Sequence, residues 1–305
     1  TNVTSPTTED LNDVSFGKNT LVAVGGEGWK YEGEWYQGIE WFRTGGIIIR
    51  STDNGVSWDN VTSINNTELN GVTFGNNTFV SVGTQSWYEG EEIIVRSTDN
   101  GKSWCGTNDI SGNTRTLPIP VMNAVSYGNN IFVAVGGQWE WNGGVSSTKG
   151  TIWRSADNGH NWHNVTSPTE FHIRDVTFGN NTFVAVGDNG TIVRSTDNGA
   201  TWNIAYRSSR SFSEYDPFYG VAFGNNTFVV SRWYGRELRS TDNGATWDNA
   251  TTYNTWNSFE GMAFGNNTFV GVGYYGRIHI STDNGTTFDR VTSQTSNTLR
   301  GVTFY

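Results

Sequence analysis

The most regularly spaced chemical groups in this sequence are six aspartates, each within the pattern Ser-x-Asp-Asn-Gly-x-x-Trp. They are Asp53, Asp99, Asp157, Asp197, Asp242 and Asp283, and Phe288 replaces the Trp of the last copy. Such carboxylates could bind Ca²⁺, but the series of oxygen ligands that a calcium-binding loop needs is missing. An Asp side chain can instead accept N–H groups of its own turn, while Gly takes the left-handed conformation. We therefore predict six structural turns and no metal site.

Catalytic groups are harder to find. Two carboxylates across a cleft suffice for glycoside hydrolysis. The candidates, all outside the repeated pattern and too many to rank, are Glu32, Glu34, Glu89, Glu92, Glu140 and Asp216. The four histidines are scattered, and the single cysteine, Cys105, excludes an intramolecular disulfide. The sequence therefore predicts no catalytic residue and no cofactor, and a binding protein is favoured over an enzyme.

An internal repeat positions the aspartates, which recur at spacings of 40 to 58 residues. Its clearest copy, residues 173–205, predicts four short strands, A to D, at 176–178, 182–186, 191–195 and 201–205. Gly and Asn between strands A and B tolerate positive φ, which a tight hairpin needs. Four strands in roughly 40–45 residues are typical of a propeller blade. The predicted fold is an all-β propeller of four-stranded blades, with a linear solenoid as the competing architecture.

The chain ends determine how the blades are counted. Within one propeller domain over 1–305, we expect blade repeats at about 11–68, 69–121, 122–172, 173–218, 219–259 and 260–298. Residues 2–6 match the D-strand segment 164–168, and residues 299–304 match strand A. Six complete repeats plus split terminal strands, 1–6 and 299–305, favour seven blade positions, with six as the alternative. The same ends could come from a longer array, or could pair between molecules and cause self-association.

The repeated motif resembles the Asp box of BNR-repeat, sialidase-like β-propellers. The phrase Val-Ala-Val-Gly-Asp-Asn-Gly-Thr-Ile-Val-Arg-Ser-Thr-Asp-Asn-Gly at 184–199 is similar to repeats of the photosystem II assembly-factor group and of exported bacterial propellers. The resemblance covers essentially the whole chain. It implies that each Asp box forms the C–D turn, on the face opposite the usual ligand site. It is specific for fold and not for function, because hydrolases, lectins, receptors and assembly factors share the repeat.

Arginine precedes five of the six boxes, and sialidase activity would need a different set of arginines. The repeated residues are Arg50, Arg96, Arg154, Arg194 and Arg239. Their equivalent positions predict a structural role, by stacking on an indole or pairing with a turn carboxylate. An arginine triad set off the repeat, with an Arg-Ile-Pro motif, is not evident.

Aromatic residues are concentrated in the predicted B–C and D–A loops, on the face opposite the boxes. Aromatic rings pack on sugar C–H groups, and Trp, Tyr and Arg are favoured in protein interfaces. The rings could also serve only to fold the loops down. The candidate binding residues are Trp29, Trp35, Tyr36, Trp41, Trp87, Tyr88, Trp139, Trp141, Arg207, Arg210, Trp233, Tyr234, Tyr274 and Tyr275.

Charge and sequons indicate the cellular setting. The net charge of −10 disfavours nucleic acid and anionic membrane surfaces as partners. No apolar run approaches the ~20 residues that cross a bilayer, and Thr1 in place of Met suggests a processed, exported chain. Asn-x-Thr sequons begin at Asn2, Asn60, Asn65, Asn76, Asn164, Asn180, Asn225, Asn249, Asn266 and Asn284. Four of them coincide with A–B turns, where turn chemistry alone explains Asn.

These patterns favour a secreted or cell-surface, non-enzymatic propeller that binds a glycan or a protein through its aromatic loops. It could be a module of a larger extracellular assembly. One alternative is a sialidase-like glycoside hydrolase. Another is an assembly factor for a membrane complex. For an assembly factor we expect a basic patch, and this acidic sequence offers only Arg207, Arg210, Arg232 and Arg236.

Overall fold

The computed structural model describes residues 3–26, 29–32, 40–43, 45–61, 68–84, 94–106, 120–142, 145–208, 217–232, 237–250 and 259–305. This part of the chain is all-β, with two single-turn 3₁₀ segments at Asp188–Gly190 and Tyr274–Gly276. Within these ranges, no helix has the length and apolar character needed to cross a membrane.

The strands follow one another in short antiparallel sets. The first third of the chain contains β1 (Leu11–Gly17), β2 (Thr20–Gly25), β3 (Trp29–Glu32), β4 (Glu40–Arg43), β5 (Ile47–Ser51), β6 (Asp59–Val61), β7 (Glu68–Gly75), β8 (Thr78–Thr84), β9 (Ile94–Ser97) and β10 (Cys105–Gly106). The middle contains β11 (Pro120–Gly128), β12 (Ile131–Asn142), β13 (Val145–Ser155), β14 (His163–Val165), β15 (Ile173–Gly179), β16 (Thr182–Gly187), β17 (Thr191–Ser195) and β18 (Asn203–Arg207). The last third contains β19 (Phe218–Gly224), β20 (Thr227–Arg232), β21 (Leu238–Ser240), β22 (Asp248–Asn249), β23 (Phe259–Gly265), β24 (Thr268–Gly273), β25 (Arg277–Ser281) and β26 (Asp289–Val291).

The described strands include four separate four-stranded sheets and one eight-stranded sheet, in which β8 and β11 pair at Thr84 and Val121. The eight-stranded sheet divides into two repeats of four strands, so we number the six described strand sets as blades 1 to 6. Their strand sets, A to D in each blade, are β1-β2-β5-β6, β7-β8-β9-β10, β11-β12-β13-β14, β15-β16-β17-β18, β19-β20-β21-β22 and β23-β24-β25-β26. Strands β3 and β4 form a separate hairpin between β2 and β5. The A strands of successive blades lie side by side, as in a β-propeller. A–B turns and Asp boxes therefore lie on one face, which we call the box face, and B–C and D–A connections lie on the other, the loop face.

Strand B forms the core of each blade, because neighbouring blades cover both of its faces. All six residues of β16 are buried, and Phe183 is fully inaccessible. One apolar cluster joins Val133 and Ile152 of blade 3 to Val176, Phe183 and Trp202 of blade 4. The repeated apolar residues on both faces of strand B therefore hold the blades together.

Two strand boundaries in blade 4 differ from those predicted. Strand A extends over Ile173–Gly179 and contains a register shift between Ile173 and Asp175. Strand D begins at Asn203, two residues later than expected, because Thr201 still belongs to the box turn and donates to Asp197. The A–B turn places Asn180 and Asn181 in the left-handed region, as the turn chemistry predicts.

A close contact between glycine and an aromatic ring repeats from blade to blade. Gly179 ends strand A of blade 4 and lies directly against the ring of Phe223 in blade 5. A Cβ atom at Gly179 would be 2.0 Å from Cγ of that ring. The equivalent pairs are Gly17 with Phe74, Gly75 with Tyr127, Gly128 with Phe178, Gly224 with Phe264, and Gly265 with Phe304. The last pair places the C-terminal segment against blade 6.

Residues 299–305 lie between the A strands of blades 6 and 1. The Leu299 N–H donates to the carbonyl oxygen of Gly273 at 3.1 Å. Gly301 packs against Asp13 of blade 1, and the Tyr305 and Phe16 ring centroids are 6.0 Å apart. The segment is not a regular strand, in contrast to the sequence prediction. Strand A of a blade takes its ladder chiefly from its own strand B, and the described residues contain no such partner for 299–304.

Candidate functional site

Both oxygens of the box carboxylates accept hydrogen bonds within their own turns. Oδ1 of Asp53 accepts the Ser51 hydroxyl at 2.7 Å and the Ser57 N–H at 2.9 Å, and Oδ2 accepts the Ser57 hydroxyl at 2.6 Å. The Ser57 hydroxyl and N–H, together with the Ser51 hydroxyl, lower the pKa of Asp53 to about 2. These hydrogen bonds are what the predicted turn-closing role requires, and they leave the carboxylate poorly suited to proton transfer.

The boxes of blades 2 to 6 are also joined to the blade before them. In blade 5, the carbonyl oxygen of Asn243 accepts from Nε of Arg194 at 2.8 Å, and Asn243 Nδ2 donates to the Thr182 hydroxyl at 2.6 Å. The same arginine bond is made by Arg50 to Asn100, Arg154 to Asn198 and Arg239 to Asn284. Four of the five repeated arginines therefore bind a backbone carbonyl of the next blade, where the sequence suggested an indole or a carboxylate. The fifth, Arg96, has its Nη1 3.1 Å from Nδ1 of His160 in the next blade. Blade 3 has Ile131 in place of the Thr, and there Asn129 Nδ2 donates to Asn198 Oδ1 at 3.0 Å.

We expect Asp197→Ala to lower the free energy of unfolding by about 2 kcal/mol, because hydrogen bonds to a charged group are lost. The Ser195 hydroxyl and the Thr201 N–H and hydroxyl all donate to this carboxylate. Asp197→Asn keeps one acceptor oxygen, so its free energy of unfolding should fall by about half as much. Urea unfolding followed by tryptophan fluorescence measures both variants, and an unchanged Asp197→Ala protein would contradict the structural role.

The sequons of the A–B turns have a structural explanation. The hydroxyls of Thr78, Thr182 and Thr227 are buried and accept from a box Asn of the following blade. Nδ2 of Asn284 is itself one of these donors, at 2.6 Å from the Thr227 hydroxyl, so it is not free to carry a glycan in the folded chain. Asn2 and Asn65 lie outside the described residues. Glycosylation stays a prediction for the exposed candidates Asn60, Asn76, Asn164, Asn180, Asn225, Asn249 and Asn266.

The predicted aromatic binding residues fall into three groups. Those outside the described residues are Trp35, Tyr36, Trp87, Tyr88, Arg210, Trp233 and Tyr234. Four lie on strands toward the loop face: Trp29 on β3, Trp41 on β4, and Trp139 and Trp141 on β12. Arg207 is exposed at the end of β18, and Tyr274 and Tyr275 form the B–C turn of blade 6. Of the hydrolytic candidates, only Glu32 and Glu140 lie within the described strands.

A charged cluster lies where the A strands of blades 4 and 6 reach the loop face. Arg174 Nε donates to Asp188 Oδ1 at 2.5 Å, and its guanidinium lies 5.0 Å from the centroid of the Tyr219 ring. Burial raises the pKa of Glu260, although the Tyr274 hydroxyl bonds to it and Arg300 and Arg174 attract its charge. We call Arg174, Asp188, Tyr219, Glu260, Tyr274 and Arg300 the mouth cluster.

His172 supports the edge of this cluster. Its Nε2 lies 2.9 Å from Nδ2 of Asn123. Burial lowers the pKa of His172, in spite of the nearby charge of Asp188. The neutral ring therefore accepts a hydrogen bond from Asn123, which indicates a structural role for His172. Within the described ranges, no three His, Cys, Asp or Glu side chains group as a metal ion would require.

Five described arginines lie toward the loop face of blades 4 to 6 and the terminal segment. They are Arg174, Arg207, Arg232, Arg277 and Arg300, each at the end of a strand or segment that points to this face. Arg207 and Arg300 are exposed, whereas Arg232 is buried against Phe218. The sequence identified only Arg207 and Arg232 of this set. Arg174 and Arg300 occupy the same position of the repeat, directly before Asp175 and Gly301. This shared position was the sequence signal that could have identified them.

Two further carboxylates went unnoticed in the sequence. Asp13 and Asp175 replace the Gly or Ala of other A strands, and their Oδ2 atoms accept the N–H of Val72 and Val221 in the next blade, each at 2.8 Å. Burial raises the pKa of Asp13 to about 7, with a smaller contribution from the charge of Asp175. Burial likewise raises the pKa of Asp175 to about 6.

Comparison with known proteins supports the fold. No protein-family model matches the sequence, and a search of curated proteins finds no match. The BNR/Asp-box family is therefore not confirmed. The chain is similar to a solved structure described as YCF48 bound to D1 peptide, with a TM-score of 0.62 and 18% identity over 93% of this chain and 81% of that one. It is also similar to YCF48 from Cyanidioschyzon merolae, with a TM-score of 0.62 and 17% identity over 96% of this chain and 88% of that one.

The expected extracellular or cell-surface location is wrong on this comparison, because the similar structures are of YCF48, a photosystem II assembly factor, and not of cell-surface proteins. The Asn-x-Thr sequons contributed to that prediction, and turn chemistry alone explains the Asn of four of them. Glycan binding and self-association receive no support from the comparisons. The identities of 17% and 18% show a shared fold alone, and the chain is in that sense similar to YCF48 β-propellers.

Proposed function

We propose that this protein is a non-enzymatic propeller that binds an acidic protein segment on its loop face, as an assembly factor for a larger complex. The observation that carries the proposal is the placement of five described arginines toward this face in a chain of net charge −10. The similar YCF48 structure with a bound D1 peptide supports a protein as the partner class. Arginine at a surface with aromatic neighbours is typical of protein interfaces.

The arrangement of charges explains how the site would select an acidic partner. Asp188 and Glu260 hold Arg174 and Arg300 in place from within the cluster. Arg300 makes a further contact with Asp10, 3.5 Å between Nη2 and Oδ2, and remains exposed. An exposed ion pair of this kind contributes little to stability. A partner carboxylate could therefore replace Asp10 at small cost.

We also propose that the propeller is one domain with seven blade positions, in which residues 299–305 occupy the inner place of the seventh. The Phe304 contact with Gly265 repeats the contact made by Phe264 with Gly224. Gly301 meets Asp13 as Gly71 meets Ala124. These repeated contacts favour seven positions over six.

Binding is tested with a labelled peptide of alternating Asp and Ser, followed by fluorescence anisotropy. We expect Arg207→Ala/Arg300→Ala to weaken binding about tenfold, because both exposed guanidinium groups lie toward the loop face. Affinity of the wild type should fall as salt is added.

The matched control removes the same charge from the box face. Lys18→Asn/Lys102→Ala changes two exposed lysines in an A–B turn and an Asp box, and should leave affinity unchanged. Equal losses in the two variants would indicate attraction to no particular site. No binding of the peptide by the wild type at any salt concentration would overturn the proposal.

A further inference from the structure

The B–C turns of blades 4 and 6 have the same backbone but different central residues. Asp188–Gly190 has Asn189 at φ 55° and ψ 33°, and Tyr274–Gly276 has Tyr275 at φ 58° and ψ 31°. The residues before them, Gly187 and Gly273, also agree, with φ of −168° and −170°. The two turns therefore allow a direct comparison of Asn and Tyr in one conformation.

Tyr is a poor residue for this conformation. The left-handed region is unfavourable for side chains that branch or are bulky, whereas Asn tolerates it. Among the described non-glycine residues with positive φ, all are Asn except Lys18 and Tyr275. The same turn in blade 4 has Asn, so the backbone does not need Tyr. Something other than the fold of the turn must favour this residue.

The fold gains little from the ring itself. Tyr275 is 73% exposed, and the contact that the structure gives its ring is Arg277, whose Cζ lies 5.5 Å from the ring centroid. Tyr274, by contrast, donates its hydroxyl to Glu260 in the mouth cluster. Backbone strain with no compensating burial is typical of residues retained for recognition.

We infer that Tyr275 is a binding residue of the loop face, held in a strained backbone so that its ring is presented to a partner. This inference rests on the proposed function and specifies the partner segment. Arg277 covers the ring from one side and supplies a positive charge, while the exposed remainder of the ring suits an apolar or aromatic side chain. The segment recognised therefore carries a carboxylate beside an aromatic or large apolar residue.

Tyr275→Asn tests this inference because stability and binding should change in opposite directions. The variant restores the residue found at Asn189, so its Tm should rise by about 2 °C. Its affinity for a labelled peptide of alternating Asp and Phe should fall about fivefold, toward that of the Asp-Ser peptide. Affinity for the Asp-Ser peptide should not change, because that peptide has no aromatic side chain to contact the ring of Tyr275.

Two control variants separate this inference from the proposed function. Tyr305→Asn replaces another exposed tyrosine, outside the left-handed region, and should leave Asp-Phe binding unchanged without raising Tm. Arg207→Ala/Arg300→Ala should weaken binding of both peptides. If that double variant loses binding while Tyr275→Asn keeps full Asp-Phe affinity, only the present inference is overturned. A Tm that does not rise in Tyr275→Asn also overturns it, and absence of binding by the wild type overturns both proposals.

Discussion

Gly179→Ala is expected to lower the free energy of unfolding by about 3 kcal/mol, through overpacking between blades 4 and 5. The added Cβ would lie 2.0 Å from Cγ of Phe223 and 2.1 Å from Cδ1. Rotation of the ring about its Cβ–Cγ bond leaves Cγ in place, so the side chain must leave its rotamer or the two blades must separate. Because the contact recurs around the propeller, a local shift would disturb the packing of strand B as well.

A double-mutant cycle and a second glycine make this prediction specific. Phe223→Ala removes the obstructing ring, so Gly179→Ala/Phe223→Ala should be more stable than the sum of the two single effects implies. Gly220→Ala is the matched control, because its Cβ would meet its nearest atom, Ser231 Oγ, at 3.3 Å, and blade 3 has Ala124 at the equivalent place. Its cost should stay below about 1 kcal/mol. Additive effects in the cycle, or equal costs at the two glycines, would contradict the contact. Urea unfolding measures each variant.

The repeat allowed most of the architecture to be predicted from local chemistry. Alternation of apolar residues and the Gly-Asn-Asn turns placed the four strands of blade 4 to within a few residues. The C strand, Thr191–Ser195, coincides with its prediction. The error at strand D arose because the box turn keeps Thr201 bonded to Asp197, and a pattern of alternating residues carries no information about that bond.

The site was harder to predict because its residues come from distant repeats. Arg174 occupies an ordinary position of strand A, and only the stacking of blades brings it to Tyr219 and close to Glu260. Asp13 and Asp175 differ from Gly and Ala at equivalent positions, and this break in the repeat was visible in the sequence. The effect of these two carboxylates depends on their burial between blades, which cannot be predicted from the sequence alone. Aromatic loops dominated the functional prediction because their residue types are conspicuous, whereas the arginines are spread along the chain.

Asp13 and Asp175 are expected to make the propeller less stable as the pH rises from about 4 to 8. Their pKa values, about 7 and about 6 in the folded chain, lie above the ordinary value of about 3.9 of an unfolded chain. Between these values the folded state binds more protons than the unfolded state, so the free energy of unfolding falls with increasing pH. Each unit of pKa corresponds to about 1.4 kcal/mol, and partial access to water reduces the sum to roughly 4 kcal/mol for the pair.

Other groups titrate in this range, so the measurement is the difference between wild type and Asp13→Ala/Asp175→Ala, which introduces the residue that blade 3 has at Ala124. Burial lowers the pKa of His279 to about 4 and also lowers that of His172. Below pH 6.5 these two histidines make the free energy of unfolding rise with pH, but they do so equally in both proteins. The double variant loses the acceptors of four backbone N–H groups at every pH. Its stability relative to wild type should nevertheless rise by roughly 4 kcal/mol between pH 4.5 and pH 8. Asp59→Ala/Asp248→Ala removes two exposed charges and controls for net repulsion. A difference independent of pH, or equal in both variants, would mean that the two inner carboxylates are ionised without cost, because their four backbone N–H donors outweigh burial.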